Sequence, residues 1–215
     1  MMFTYGVYVN CFRVVLETIL KKRDIAAAEN RAKLIASARR AFAEKGYSAA
    51  SMDDITANAG LTRGALYHSF GDKRGLFAAV VDQLDNEMAK RAKEMGAQAG
   101  GLWQRFISEG VAYIRMALDP EVQRIVLLDG PAVLGDPSLW PSQNSCLQVT
   151  KHTVEQLIAQ DILKPMDPEA AARLLSGAAM NAALWIAAGE APESITPKAV
   201  EMFQILASGL LKSTA

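Results

Sequence analysis

The sequence predicts an all-helical chain, and three observations carry that prediction. Apolar residues recur at i, i+3 and i+4 along nearly the whole length. No stretch of four or more residues alternates apolar and polar with β-branched enrichment, so strands are not expected. Apolar residues make up 51% of the 215, enough for a real core and far from the composition of a disordered chain.

The elements follow in order. A first helix spans about Ala26 to Lys45, with Leu34, Ile35, Ala38, Ala41 and Phe42 as its buried stripe and Gly46 as its stop. Ser51 precedes Met52-Asp53-Asp54, a spacing that resembles a capping box, and the acidic pair suits a positive helix N-terminus. That short helix runs to Ala59 and turns Ile55 and Ala59 inward. Gly60 permits a left-handed turn, and Thr62 caps a second short helix that ends in Leu66-Tyr67-His68-Ser69-Phe70. Lys73 opens a fourth helix to about Met95, with Leu76, Phe77, Val80, Leu84 and Met88 as its apolar face.

Gly96 to Gly101 break the periodicity and divide the chain into domains at 29–96 and 97–215. In the second domain Leu102 to Leu118 is helical, with Trp103, Phe106, Ile107, Gly110, Tyr113 and Ile114 on one stripe. Pro120 opens a short helix to about Leu128. Asp129-Gly130-Pro131 and Gly135-Asp136-Pro137 read as turns. A long helix follows and ends near Asp161, its start delayed by Pro141 to Ser142. Pro168 and Pro197 each start a helix, as proline does at a first helical position, running to about Gly189 and Lys212.

Residues 1–28 have three readings: an extra helix packed on the domain that follows, a flexible arm, or an over-long start. Residues 11–28 can form an amphipathic helix with Val14, Val15, Ile19 and Leu20 on one side. A basic stretch before the apolar one and a small-residue cleavage site are missing, so no secretory signal is expected. Arg13, Glu17, Lys21 and Lys22 follow too soon for a membrane span.

The formal net charge is zero but unevenly spread. Residues 1–96 hold 15 Lys and Arg against 11 Asp and Glu, and residues 97–215 hold 8 against 12. The basic half is the one expected to face a polyanion. Cys11 and Cys146 form no disulfide framework or zinc motif, and His68 and His152 add no ligand cluster, so no metal or other cofactor and a reducing cytoplasm are expected. Cys146 and His152 lie six apart on one helix, on opposed faces, a poor nucleophile–base pair. With no glycine-rich phosphate loop or catalytic motif either, an enzyme is not expected.

The order helix, helix-turn-helix, then a basic helix start is the geometry that puts a helix into the DNA major groove. Its residues carry a resemblance. Ala41-Phe42-Ala43-Glu44-Lys45-Gly46-Tyr47, Asp54-Ile55, Ala59-Gly60-Leu61-Thr62, Gly64-Ala65-Leu66-Tyr67-His68-Ser69-Phe70 and Lys73 with Leu76 are similar to the DNA-binding domain of the TetR/AcrR family of bacterial transcriptional regulators. The resemblance covers about a quarter of the chain. The remaining helices agree with that family's second domain in number and order.

The resemblance implies a regulator of transcription that binds double-stranded DNA as a homodimer, expected to be a repressor. Arg63 is the expected base reader, since its guanidinium fork matches guanine O6 and N7. Gly64 lets backbone approach DNA, and Ala65 offers a methyl to thymine. Tyr67 and Lys73 match the family's phosphate contacts, and His68 reaches a base or a phosphate. Ser51 and Thr62 cap helices and touch phosphate. Packing against the first helix for Tyr67 and a plain surface role for His68 stay open. Leu66 and Phe70 read as core.

For the second domain the resemblance implies a small-molecule effector pocket, with Trp103, Phe106, Tyr113, Met116, Trp140, Met180, Asn181 and Trp185 as candidates and an apolar or aromatic effector. An ordinary core role for these aromatics and methionines stays open. Asn181 lies in an apolar run, where a buried amide needs partners. Small residues along the last two helices imply a four-helix dimer interface, which fits a palindromic operator. The alternative is a regulator switched by a protein partner, or constitutive, with no small ligand.

Overall fold

The computed structural model describes the backbone of residues 4–212 and the side chains of residues 21–212. The first helix, α1 (Thr4–Ala49), absorbs most of the N-terminal extension without a break and kinks at Gly46, whose φ of 73° and ψ of 171° leave the helical region. Glycine is required there, because an L side chain is strained at that φ. The expected stop is therefore real even though a further turn follows it. Of the readings for the extension, separate packing on the DNA-binding part fails for the described side chains, since residues 21–29 are all exposed. Val14, Val15, Ile19 and Leu20 lie outside the described side chains.

Three helices complete the first unit: α2 (Met52–Asn58), α3 (Arg63–Phe70) and α4 (Lys73–Gly96). Each starts on a side-chain cap. Ser51 accepts from the Asp54 amide, Thr62 from Ala65 and Asp72 from Gly75. Each such cap is worth about 1 kcal/mol. Between α2 and α3 Gly60 takes the left-handed conformation, φ 66°. Phe42, Tyr47 and Phe77 lock α1 to α4, with Phe42 and Phe77 edge to face at 5.0 Å and Tyr47 against Phe77 at the same separation. Gly75 allows α4 to start against the end of α3, where a Cβ would sit 2.1 Å from the Phe70 carbonyl oxygen.

The second unit holds α5 (Leu102–Arg115) with a 3₁₀ turn at Met116–Leu118, α6 (Pro120–Val122), α7 (Gly130–Leu134), α8 (Pro141–Ala159), α9 (Pro168–Ala188) and α10 (Pro192–Ser208). Three boundaries differ from expectation. Asp129-Gly130-Pro131 is not a turn: α6 passes through a π-helical stretch, Gln123–Asp129, directly into α7. Pro131 has no N–H for the carbonyl four residues back, and its ring crowds that carbonyl; a widened turn accommodates both. Pro197 does not start α10, which begins a turn earlier at Pro192. α8 starts at Pro141 itself. Among the described residues the only β pairing is an isolated bridge between Leu163 and Leu211.

One core runs through both units, from Leu34 and Phe42 through Leu76, Val80 and Met88 to Ile114, Ile125 and Ile186. The glycine-rich break at 96–101 interrupts the chain but not this packing. A smaller cluster at the far end gathers Val154, Leu157, Leu163 and Ala171. Among the described residues α9 is the one helix long and apolar enough to cross a bilayer, but Ala172, Ala183 and Ile186 on it are fully buried, as in a core helix. Phe77 is fully buried at the junction of the three aromatic rings. Phe77→Ala is expected to cost about 3–5 kcal/mol of unfolding free energy, read as a lowered urea midpoint.

Candidate functional site

The helix-turn-helix leaves one face of α3 to solvent. Leu66 is buried and half-buried Phe70 packs on the core, so both expected anchors hold the helix down. Arg31 adds a clamp from α1, donating to the Ser69 carbonyl at 3.1 Å with its guanidinium 4.3 Å from the Phe70 ring centroid. Opposite these anchors Arg63, Gly64, Tyr67 and His68 are exposed, and Ala65 is half-buried. Tyr67 is 50% exposed, so half of its surface is open to solvent. Gly64 has open space around its Cα apart from Thr62 Oγ1 at 3.7 Å. No internal contact therefore requires a glycine there.

Two expected contacts already have internal partners. Arg63 is paired with Asp53, its Nε and Nη2 donating to the two carboxylate oxygens. The Arg63 hydrogen bonds hold the Asp53 carboxyl below its ordinary pKa. Sequence reasoning gave Asp53 only a dipole role; its place in the first turn of α2 also puts it within reach of the Arg63 guanidinium. Lys73 donates to the Ser48 carbonyl at 3.2 Å and lies 4.8 Å from the Tyr47 ring centroid, which fixes its ammonium at the start of α4. Ser51 and Thr62 are both occupied in capping.

The second unit rearranges the expected pocket. Trp103 and Phe106 pack in the separate end cluster. Met116 and Trp140 are buried in the main core, Trp140 edge-on to Gly130. Asn181 is exposed rather than buried, and Trp185 is 50% exposed. Both face a groove of about 450 Å³ on the outside of α9 and α10, beside Leu174, Met202 and Leu206. Their helix run is apolar on two sides, and periodicity could not tell the core side from the outer one.

Tyr113 and Met180 do converge, the phenol oxygen 3.8 Å from the Met180 sulfur. They meet at a polar cluster that sequence reasoning missed. Asp85 is 1% exposed on α4 and accepts from Gln143 Nε2 at 3.0 and 2.9 Å, and that nitrogen also lies 3.4 Å from the Tyr113 hydroxyl. Burial raises the Asp85 carboxyl above its ordinary pKa, opposed by the neighbouring Ser142 and Gln143 side chains. Burial likewise lifts Tyr113 well above the usual phenol value and the Cys146 thiol to about 11, each with help from Asp85. Gln143 and Met180 also line a cleft of about 410 Å³ between α8 and α9, walled by Leu147 and Leu184. The signal for Asp85 was present: it sits among Val81, Leu84 and Met88, a carboxylate on an apolar stripe. Cys146 is no activated nucleophile, and His152 lies exposed beside Gln156 and Glu155.

Salt bridges join the units. Arg39 of α1 donates to both oxygens of Glu121 on α6 and to Glu87 on α4, each at 2.7 Å. Asp129 accepts from the Tyr47 amide at 2.7 Å and pairs with Arg124, while Arg74 donates to the Val133 and Leu134 carbonyls.

A helix-turn-helix with an exposed recognition face, fused through a shared helix to a second helical unit, defines a DNA-binding regulator. Comparisons with known proteins give the family. The model of bacterial regulatory proteins of the tetR family matches residues 34–80, and the tetracyclin repressor-like C-terminal domain matches residues 103–210. A crystal structure of a TetR-family transcriptional regulator from Pectobacterium atrosepticum is 45% identical, covers 89% of this chain and 98% of its own, and superposes with a TM-score of 0.81. The transcriptional repressor AcnR of Corynebacterium efficiens is 39% identical over 67 residues, 31% of this chain and 36% of its own length. The transcriptional regulator TtgR of Pseudomonas putida is 43% identical over 66 residues, 31% of each. The chain thus spans about a third of the curated relatives it matches. It belongs to the TetR family of transcriptional regulators.

Asp53→Asn removes the internal partner of Arg63 and a negative charge from the DNA-facing side. It is expected to tighten duplex binding about two- to fivefold at low salt, measured by fluorescence anisotropy. Unchanged or weaker binding would mean that the pair orients Arg63 for DNA instead of holding it back.

Proposed function

We propose that this regulator is a dimeric, cytoplasmic repressor that binds a palindromic operator through α3 and leaves it when a small molecule occupies the second unit. The observation that carries the reading is α4, which begins beside the recognition helix at Lys73 and buries Asp85 in the second unit's polar cluster. Arg63, Gly64, Ala65, Tyr67 and His68 face the major groove, and Ser51, Thr62 and Lys73 lie toward phosphates. Arg63 exchanges Asp53 for a base edge on binding. Repression is taken over from relatives such as AcnR, whose match is confined to the DNA-binding part.

Dimerisation is supported by the outer face of α9 and α10. Leu174, Trp185, Met202, Ile205 and Leu206 are each at least half exposed there. An apolar patch of that kind on a soluble regulator is an interface in waiting. Two copies joined there in a closed two-fold arrangement give two recognition helices and hence a symmetric site. An effector in the cleft between α8 and α9 changes how α4 packs, and with it the separation of the two recognition helices. Ligand and operator are then coupled through their different affinities for two states.

The test is selection from random duplexes by the purified protein, beside a Tyr67→Ala, Lys73→Ala variant. A palindrome recovered only by the natural sequence is the expected result. No enrichment even at low salt, where phosphate attraction is strongest, would falsify the operator reading.

A further inference from the structure

We propose that the cleft between α8 and α9 takes a small apolar molecule bearing a protonated amine, and that Asp85, with Gln143 and Ser142, receives the ammonium group. Naming this molecule the effector rests on the release mechanism proposed above.

The first argument is the hydrogen-bond inventory at Asp85. Its two oxygens share a single donor nitrogen, Gln143 Nε2, at 3.0 and 2.9 Å. A carboxylate offers about four lone-pair sites, so most of its accepting capacity is unused. Ser142 stands beside it, 3% exposed, with its Oγ enclosed and its hydroxyl able to turn to the Asp85 carboxyl. Even with that hydroxyl, Asp85 keeps accepting capacity that is not filled, and a buried group short of partners marks a place where something else supplies one.

The second argument is charge. Among the described residues no cation acts on Asp85; the neighbouring ionisable groups are Asp82, Tyr113 and Cys146, all acids. An unpaired carboxylate in such a place is costly, and a buried ion pair recovers that cost only with good geometry and further hydrogen bonds. Gln143 Oε1, Ser142 Oγ and the Tyr113 hydroxyl are the further acceptors that an ammonium with three N–H groups needs. At Asp85 itself an anion is repelled and a neutral apolar molecule gains nothing; of the charged residues that line the cleft, Asp136 is acidic and Arg173 is engaged by Glu169.

The third argument is access. Half-buried Gln143 belongs to both the Asp85 cluster and the cleft, so a rotation of its side chain joins the two. Leu147, Met180 and Leu184 supply the apolar wall, and about 410 Å³ is at the lower end for small-molecule sites.

The probes are 1-naphthylmethylamine and its uncharged counterpart 1-naphthalenemethanol. Each is titrated calorimetrically into the full-length protein and into Asp85→Asn, with circular dichroism as the check on folding. The amine is expected to bind the natural protein at least about tenfold more tightly than the alcohol. Asp85→Asn should erase that preference while keeping the alcohol's affinity. Should the variant not fold, infrared difference spectra of the natural protein decide: the amine must change the carboxyl or carboxylate bands and the alcohol must leave them unchanged. Equal binding of both probes, binding of neither, a preference that survives Asp85→Asn, or an unchanged carboxyl band overturns the assignment. Operator affinity measured in the same samples separates the two readings. An Asp85-dependent amine that leaves DNA affinity unchanged supports the amine site and defeats the release mechanism. Release of the natural protein by both probes with equal affinity does the reverse.

Discussion

The structure depends on α4 being a member of two cores at once. Its buried face, from Leu76 and Phe77 to Met88 and Ala92, packs on α1 and α3 near one end and on α5 and α8 further along. A helix buried along its length cannot tilt at one end alone. From Lys73 to Asp85 is about 18 Å at the rise of an α-helix, a distance that a rigid rod bridges without a chain of intermediates. Close packing makes such a rod respond by switching between arrangements instead of bending gradually.

The polar contacts between the units sort by burial. Arg39 keeps its fork on Glu121 and its remaining nitrogen on Glu87 in a partly enclosed site that joins α1, α4 and α6. Bidentate geometry makes this pair directional as well as attractive. Asp129 fixes the backbone just after the Gly46 kink, at the end of the π-helical stretch forced by Pro131. The α6–α7 segment is therefore a second mechanical link between the units, parallel to α4, and a movement of α4 must be accepted or resisted there. Asp85 is of the opposite kind, enclosed and short of partners, and it adds little stability as it stands.

At the DNA-facing surface the same economy of partners recurs. Lys73 and Ser51 serve the fold first, and the pairing of Arg63 with Asp53 keeps a long side chain ordered without DNA. α3 offers few long polar side chains beyond Arg63.

The sequence by itself determined the helical class, the helix-turn-helix with its caps at Ser51 and Thr62, the Gly46 and Gly60 stops, and the exposed face of α3. These rest on spacing and on single-residue backbone preferences, which act within a turn or two. Pro131 and Pro197 misled because a proline inside a continuous helical run looks locally like one in a turn or one at a helix start. Tertiary structure alone decided which side of α9 is core and which is outer surface, sending Asn181 and Trp185 outward, and it alone separated Trp103 and Phe106 from Tyr113. It also gathered Asp85, Tyr113, Ser142 and Gln143 from three helices. Residues so far apart in the chain meet only through packing, and no local pattern encodes which faces of neighbouring helices will close on one another.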